Sequence, residues 1–94
     1  MDRSLLVQEA IRKAQEEMKA QRAAATVSEI YNGSLLETEY FKKGSAVWSQ
    51  IRVDGKVTSE NRVYKVKSEK PYTRFAGQYW YLSEEHKKAL SAVI

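Results

Sequence analysis

Apolar positions recur at spacings of four and three through the first 25 residues: Val7, Ile11, Ala14, Met18, Gln21 and Ala25 fall on one face. Alanine, glutamine, glutamate and lysine dominate the stretch, which contains no glycine or proline, so it is predicted to be a long helix. Asp2 or Ser4 can cap its start. The opposite side carries Glu9–Lys13, Arg12–Glu16 and Lys13–Glu17 four residues apart, the signature of a solvated face. Two arrangements fit the narrow apolar stripe. Either the helix lies across its own sheet, or it pairs with a second copy as a homodimer or with a partner helix. The repeat is too short to argue a coiled coil by itself.

The pattern then changes period. Val47, Ile51 and Val53 alternate with Ala46, Trp48, Gln50 and Arg52, and Asp54-Gly55 is a hairpin turn signal, so 46–67 reads as a β-hairpin. A two-residue loop would pair Val53 with Lys56 and mix apolar with polar side chains on both faces. A three-residue loop pairs Ile51 with Val57 and gathers Val47, Ile51, Val53, Val57 and Val63 on one side, which is the preferred register. Trp48, Arg52, Lys56 and Arg62 then face outward. Lys65 and Lys67 join them only if the parity breaks after Val63, through a bulge near Ser59–Arg62 or the start of a new element. Pro71 fixes a loop over Ser68–Tyr72. Gln78–Leu82 reads as a further strand, with Trp80 in the core. Ser83 caps a short C-terminal helix with Glu84 and Glu85 in its first turn.

Residues 26–44 admit two readings. Thr26-Val27-Ser28-Glu29 and Ser34-Leu35-Leu36-Glu37 both match the capping box, and Lys42, Lys43 and Gly44 match a helix end, which favours a short helix over Leu35–Lys43. The competing reading makes Thr26–Tyr31 and Leu36–Phe41 strands about an Asn32-Gly33 turn. The expected fold is α+β throughout one domain, 1–94: a long N-terminal helix, an antiparallel sheet built on the central hairpin and a short C-terminal helix. A winged-helix variant would use Leu35–Lys43 as the reading helix and the hairpin as the wing, although Glu37 and Glu39 would repel phosphates there.

Charge sharpens the picture. The net charge is +4 over 94 residues. Residues 1–41 hold five basic and seven acidic side chains, whereas 44–75 hold seven basic and three acidic. The positive segment contains Arg52, Lys56, Arg62, Lys65, Lys67, Lys70 and Arg74, interleaved with Trp48, Tyr64, Tyr72 and Phe75 and followed by Tyr79. Cations neutralise phosphates and aromatic rings stack on unpaired bases, so the segment reads as a nucleic-acid surface.

Catalysis lacks residues. There is no cysteine and one histidine, which removes most nucleophile–base pairs and all thiolate zinc sites. His86 reads as a solvent-facing residue on an exposed helix. Glu37 and Glu39 would share a strand face and could hold a cation only there. Asp54-Gly55-Lys56 has the spacing of some metal-dependent nucleases but reads as a turn. Asn32-Gly33-Ser34 matches a glycosylation sequon and also reads as a turn. Nothing calls for a cofactor or metal. No apolar run approaches the roughly 20 residues of a membrane span, and Met1 to Glu9 lacks a secretory pattern, so a cytoplasmic location is expected. The leading expectation is a non-enzymatic accessory protein that binds nucleic acid, DNA rather than RNA, through Trp48 and the seven cations above. The alternative is a small regulator or inhibitor that binds a larger protein through the N-terminal helix and exposed aromatics.

Overall fold

The structure, a computed structural model, describes residues 3–94. Helix α1 (Arg3–Ala24) leads into six strands and a second helix. The strands are β1 (Thr26–Tyr31), β2 (Ser34–Lys43), β3 (Ala46–Val53), β4 (Lys56–Tyr64), β5 (Tyr72–Phe75) and β6 (Gln78–Tyr81), and α2 spans Glu84–Ser91. Every strand pairs antiparallel with its sequence neighbour, so the sheet is a simple meander in the order β1 to β6. The α+β reading holds, with its long N-terminal helix, hairpin-centred sheet and short C-terminal helix.

The sheet curls, and α2 returns from β6 to lie against β1 and β2 on the inner face. Val27, Tyr40, Val47 and Val63 from that face pack with Ala89 and Leu90 of α2 to form the core, joined at its margin by Val66, Leu82 and Val93. Ser83 caps α2 as the sequence predicts, accepting from the His86 N–H at 3.4 Å. His86 is not solvent-facing. It is half-buried and bonded through Nδ1 to the Tyr40 hydroxyl at 2.7 Å, which ties α2 to β2. Burial raises the Tyr40 phenol well above its ordinary range, so it stays neutral.

Residues Leu35–Lys43 form strand β2, not the favoured helix, and so supply no reading helix for the winged-helix variant. Asn32 (φ 51°) and Gly33 (φ 79°) make the tight turn that sends β2 back along β1. Leu36, Thr38 and Tyr40 then alternate with Glu37, Glu39 and Phe41, with β1 and β3 hydrogen-bonded on either side. Two flanking strands satisfy the backbone along its length, and that outweighs a capping pattern that would satisfy only a helix terminus.

The hairpin register also differs from expectation. Asp54 (φ 49°) and Gly55 (φ 84°) form a two-residue loop, and Val53 does pair with Lys56. The register then shifts between Ile51 and Arg52, leaving Thr58 as the extra residue. That bulge restores Val47 opposite Val63 and Trp48 opposite Arg62, at the cost of turning Val57 out beside Arg52, where it is exposed. The strand ends at Tyr64. Lys65 takes a left-handed φ of 56° and opens the loop to Pro71. The parity break after Val63 is therefore the start of a new segment.

Helix α1 does not lie across the sheet. From Leu6 to Ala24 it is exposed, Met18 by 61%. It is anchored at its end, where Thr26 Oγ1 donates to the Arg22 carbonyl at 2.6 Å and Arg22 pairs with Glu39. The projection gives a molecule 59 × 33 × 21 Å across with a radius of gyration of 16.3 Å. A compact domain of this length would have about 12 Å. No helix among the described residues is long and apolar enough to cross a membrane.

Candidate nucleic-acid interface

Alternation along a strand sends successive side chains to opposite faces, and the cross-strand register decides which of them meet. On the outer face, away from α2, Phe41, Trp48 and Arg62 stand in one row across β2, β3 and β4. Tyr64, Tyr72 and Tyr81 stand in the adjacent row across β4, β5 and β6, and Arg74 pairs with Tyr79 beside them.

These rows touch. Lys43 Nζ lies 5.7 Å from the Trp48 ring centroid, and the Arg62 guanidinium lies 5.4 Å from the Tyr64 ring. Tyr64 stacks on Tyr72 at 5.5 Å with the planes 19° apart. Tyr72 meets Tyr79 edge-on at 5.1 Å and Tyr81 at 5.8 Å, and the Arg74 guanidinium covers Tyr79 at 5.2 Å. Each cation–ring contact is worth about 0.5–1 kcal/mol at exposed sites. Together they hold long side chains in defined positions while leaving most of the guanidinium N–H donors free. Arg62 and Arg74 make no ion pair among the described residues.

The other half of the outer face is chemically different. Arg22 Nε and Nη2 donate to the Glu39 carboxylate at 3.1 and 3.0 Å, and Arg52 Nη1 donates to the same carboxylate at 2.8 Å. Arg52 also donates to Gln50 at 2.9 Å and lies 3.7 Å from Glu37. Glu60 accepts from Gln50 at 3.1 Å. The hydrogen bonds from Arg22, then that from Arg52, hold the Glu39 carboxyl below its ordinary range against the opposing effect of burial. This network joins the base of α1 to the sheet.

The sequence-predicted residues therefore separate. Trp48, Arg62 and Arg74 meet on one face with Tyr64, Tyr72 and Tyr79. Trp48 is half-buried and α1 does not cover it. Arg52 shares that face, but its side chain is only 16% exposed and engaged with acids. Lys56 sits at the hairpin turn, paired with Val53, away from the rings. Lys65, Lys67 and Lys70 are exposed on the loop that joins β4 to β5, and so border the tyrosine row. Phe75 and Trp80 belong to the opposite face. Trp80 is 54% exposed, not core. The residues that sequence reasoning missed are Phe41, Lys43 and Tyr81. Reading β2 as a helix hid the first two, and assigning Tyr81 only to a generic strand hid its alignment with Tyr64 and Tyr72.

Among the described residues no cluster of His, Asp or Glu is arranged to hold a metal ion. The chain matches no protein-family model, no curated protein and no solved structure in comparisons with each.

Proposed function

We propose that the protein binds single-stranded nucleic acid, DNA rather than RNA, on the outer face of β3 to β6, without catalysis. The observation that supports this reading is the continuous run of rings and guanidiniums from Trp48 through Arg62, Tyr64 and Tyr72 to Arg74 and Tyr79. Rings accept unstacked bases at about 1–3 kcal/mol each, and cations track the phosphates between them. A broad sheet face with rings on its surface suits an open strand better than a duplex groove, which admits a helix or a two-stranded ribbon. Lys65, Lys67 and Lys70 extend the positive border along the loop. Arg52 acts as scaffold, fixing Gln50 and Glu39.

Fluorescence anisotropy of a labelled single strand at low salt tests the reading. Tyr72→Ala is expected to weaken binding by about 1–3 kcal/mol while Lys56→Ala changes it little. Absence of micromolar affinity in the unsubstituted chain would refute the proposal.

The uncovered apolar stripe of α1 favours a second reading, a protein-interaction module that engages a larger protein or a second copy through this helix. Sedimentation velocity over a wide concentration range tests self-association. A mass that stays monomeric at the highest concentration excludes the pairing of copies.

A further inference from the structure

The inner face carries a second surface that the nucleic-acid reading does not use. Sheets that curl around a core usually present apolar side chains inward, yet the centre of this inner face is polar. Tyr40, Ser49 and Asn61 form one cross-strand row over β2, β3 and β4, and Thr38 lies in the next. Ser49 is 3% exposed and Thr38 is also buried. Thr73 and Trp80 stand opposite each other on β5 and β6 at the far side.

The curl wraps these residues around an open trough. One cavity of about 310 Å³ runs from Thr38, Ser49 and His86 to Asn61, Thr73 and Trp80. A second of about 300 Å³ shares Ile51, Asn61, Thr73 and Trp80 with it and continues to Phe75. Each volume is at the lower end of the roughly 300–1,000 Å³ of small-molecule sites.

Its chemistry is distinctive in a chain of which 30% of residues are charged. No Asp, Glu, Lys or Arg lines either cavity, whereas three other surface cavities each include at least two such side chains. The trough offers hydroxyls, one amide and the imidazole of His86. Ser49 Oγ donates to the Asn61 backbone carbonyl at 3.3 Å, and the Tyr40 hydroxyl is bonded to His86. The Asn61 side chain has no partner among the described residues, so its two N–H donors and its carbonyl face the trough unused. Beside it, the exposed Trp80 indole is fixed by its own Nε1–H, which donates to the Phe75 carbonyl at 3.4 Å. This leaves a flat apolar plate next to an uncommitted amide and the Thr73 hydroxyl.

We infer that this trough binds a neutral polyhydroxylated ligand of the pyranose class. A sugar ring presents a face of C–H groups that packs on an indole, and a rim of hydroxyls that both donate and accept, which an amide and a threonine hydroxyl match without any ionic partner. A phosphate or carboxylate would meet no Lys or Arg there, and an ammonium no Asp or Glu, so each would be desolvated at a cost. The site lies on the opposite face from the ring and guanidinium rows, with Tyr81 at the edge strand the one residue of those rows that borders it.

Two-dimensional ¹H–¹⁵N spectra of the full chain, titrated with maltotriose, cellotriose and chitotriose, test the inference. The two indole N–H signals separate the faces, since Trp80 lines the trough and Trp48 the outer surface. At least one of the three sugars is expected to shift the Trp80 indole and the Asn61 side-chain amide saturably, with a Kd of about 1–10 mM, leaving Trp48 unmoved. Asn61→Ala or the near-isosteric Thr73→Val, each checked for native signal dispersion, is expected to weaken that binding by about tenfold or more, a change of about 1.4 kcal/mol. Raised salt is expected to leave it unchanged, unlike binding at the outer face. No saturable shift with any of the three sugars at about 20 mM, shifts centred on Trp48, or native-like variants of undiminished affinity each overturn it.

Discussion

Glu39 is the residue on which the outer face turns. It accepts from both Arg22 and Arg52, and so connects α1, β2 and β3 through one largely buried carboxylate. Removing its charge leaves the half-buried Arg52 guanidinium without its closest partner. Glu39→Gln is therefore expected to lower unfolding free energy by about 2 kcal/mol in urea denaturation. The pH dependence follows from the depressed carboxyl. A carboxyl with a lower pKa in the folded state contributes stability that is fully present above its unfolded value of about 4.3 and is lost as pH falls through the folded one. Between about pH 5 and about pH 3 the unsubstituted protein should lose more stability than Glu39→Gln. Parallel slopes for the two would show that the network is not coupled to folding.

Ala76 presents the opposite case, a residue at odds with its conformation. It holds φ 52° at the first position of the two-residue turn joining β5 to β6, followed by Gly77 at 75°. A left-handed alanine costs about 1–2 kcal/mol, and asparagine is favoured in that position. Ala76→Asn is expected to raise the midpoint of thermal unfolding, in proportion to about 1 kcal/mol. A lowered midpoint would mean that the methyl group has a packing role.

At the scale of elements, legibility followed local signal strength. α1 was readable because its composition and spacing agree over six turns, and α2 because Ser83 and the two glutamates mark its start. The β3–β4 hairpin was readable from Asp54-Gly55, but its register was not. A bulge at Thr58 is invisible to alternation counting, since it lets a mixed two-residue loop coexist with a correctly sorted strand beyond it. Strand β2 was misread because its capping-box residues serve the sheet instead, Glu37 facing Arg52 and Ser34 closing the β1 turn opposite Tyr31. Strand β5 has four residues, too few to show a period, and its pairing partners Tyr64 and Tyr81 lie outside any local window. The same reasoning explains the site. The ring-and-cation content was legible, but which of those side chains share a face depended on register. The inner trough was hidden because its residues come from five strands and α2, and none is unusual alone.

The isolation of α1 gives an element-level expectation. Its turns from Leu6 to Glu16 contribute little to the fold, because they are exposed and the anchor is at Arg22 and Thr26. Deleting residues 6–16, about three helical turns, should reduce the helical circular-dichroism signal yet shift sheet stability by no more than about 0.5 kcal/mol. A large loss would show that the helix is held against the sheet or against another copy.

As a whole molecule, the protein is a curled sheet with two unlike faces and a projecting helix. The outer face is divided between an acid-neutralised half that anchors α1 and a ring-and-cation half that remains open. The inner face is closed by α2 at one end and is uncharged along its trough. This partition places Arg62 and Arg74 over a platform of tyrosines, with Lys65, Lys67 and Lys70 on the adjoining loop, and that placement is the basis of the nucleic-acid reading. Small-angle scattering of the monomer should give an elongated particle, with a radius of gyration nearer the 16.3 Å of the structure than the roughly 12 Å of a collapsed domain.

The most direct test of the central claim is the salt dependence of single-strand binding, measured for the unsubstituted chain and for Arg62→Ala/Arg74→Ala. Each phosphate contact contributes about −0.7 to the slope of log K against log salt for a single strand. The unsubstituted protein should show a steep negative slope, and the double variant a slope shallower by about 1.4 with weaker affinity at low salt. Identical slopes and affinities for the two proteins, or no binding by either at low salt, would contradict the outer face as the nucleic-acid surface.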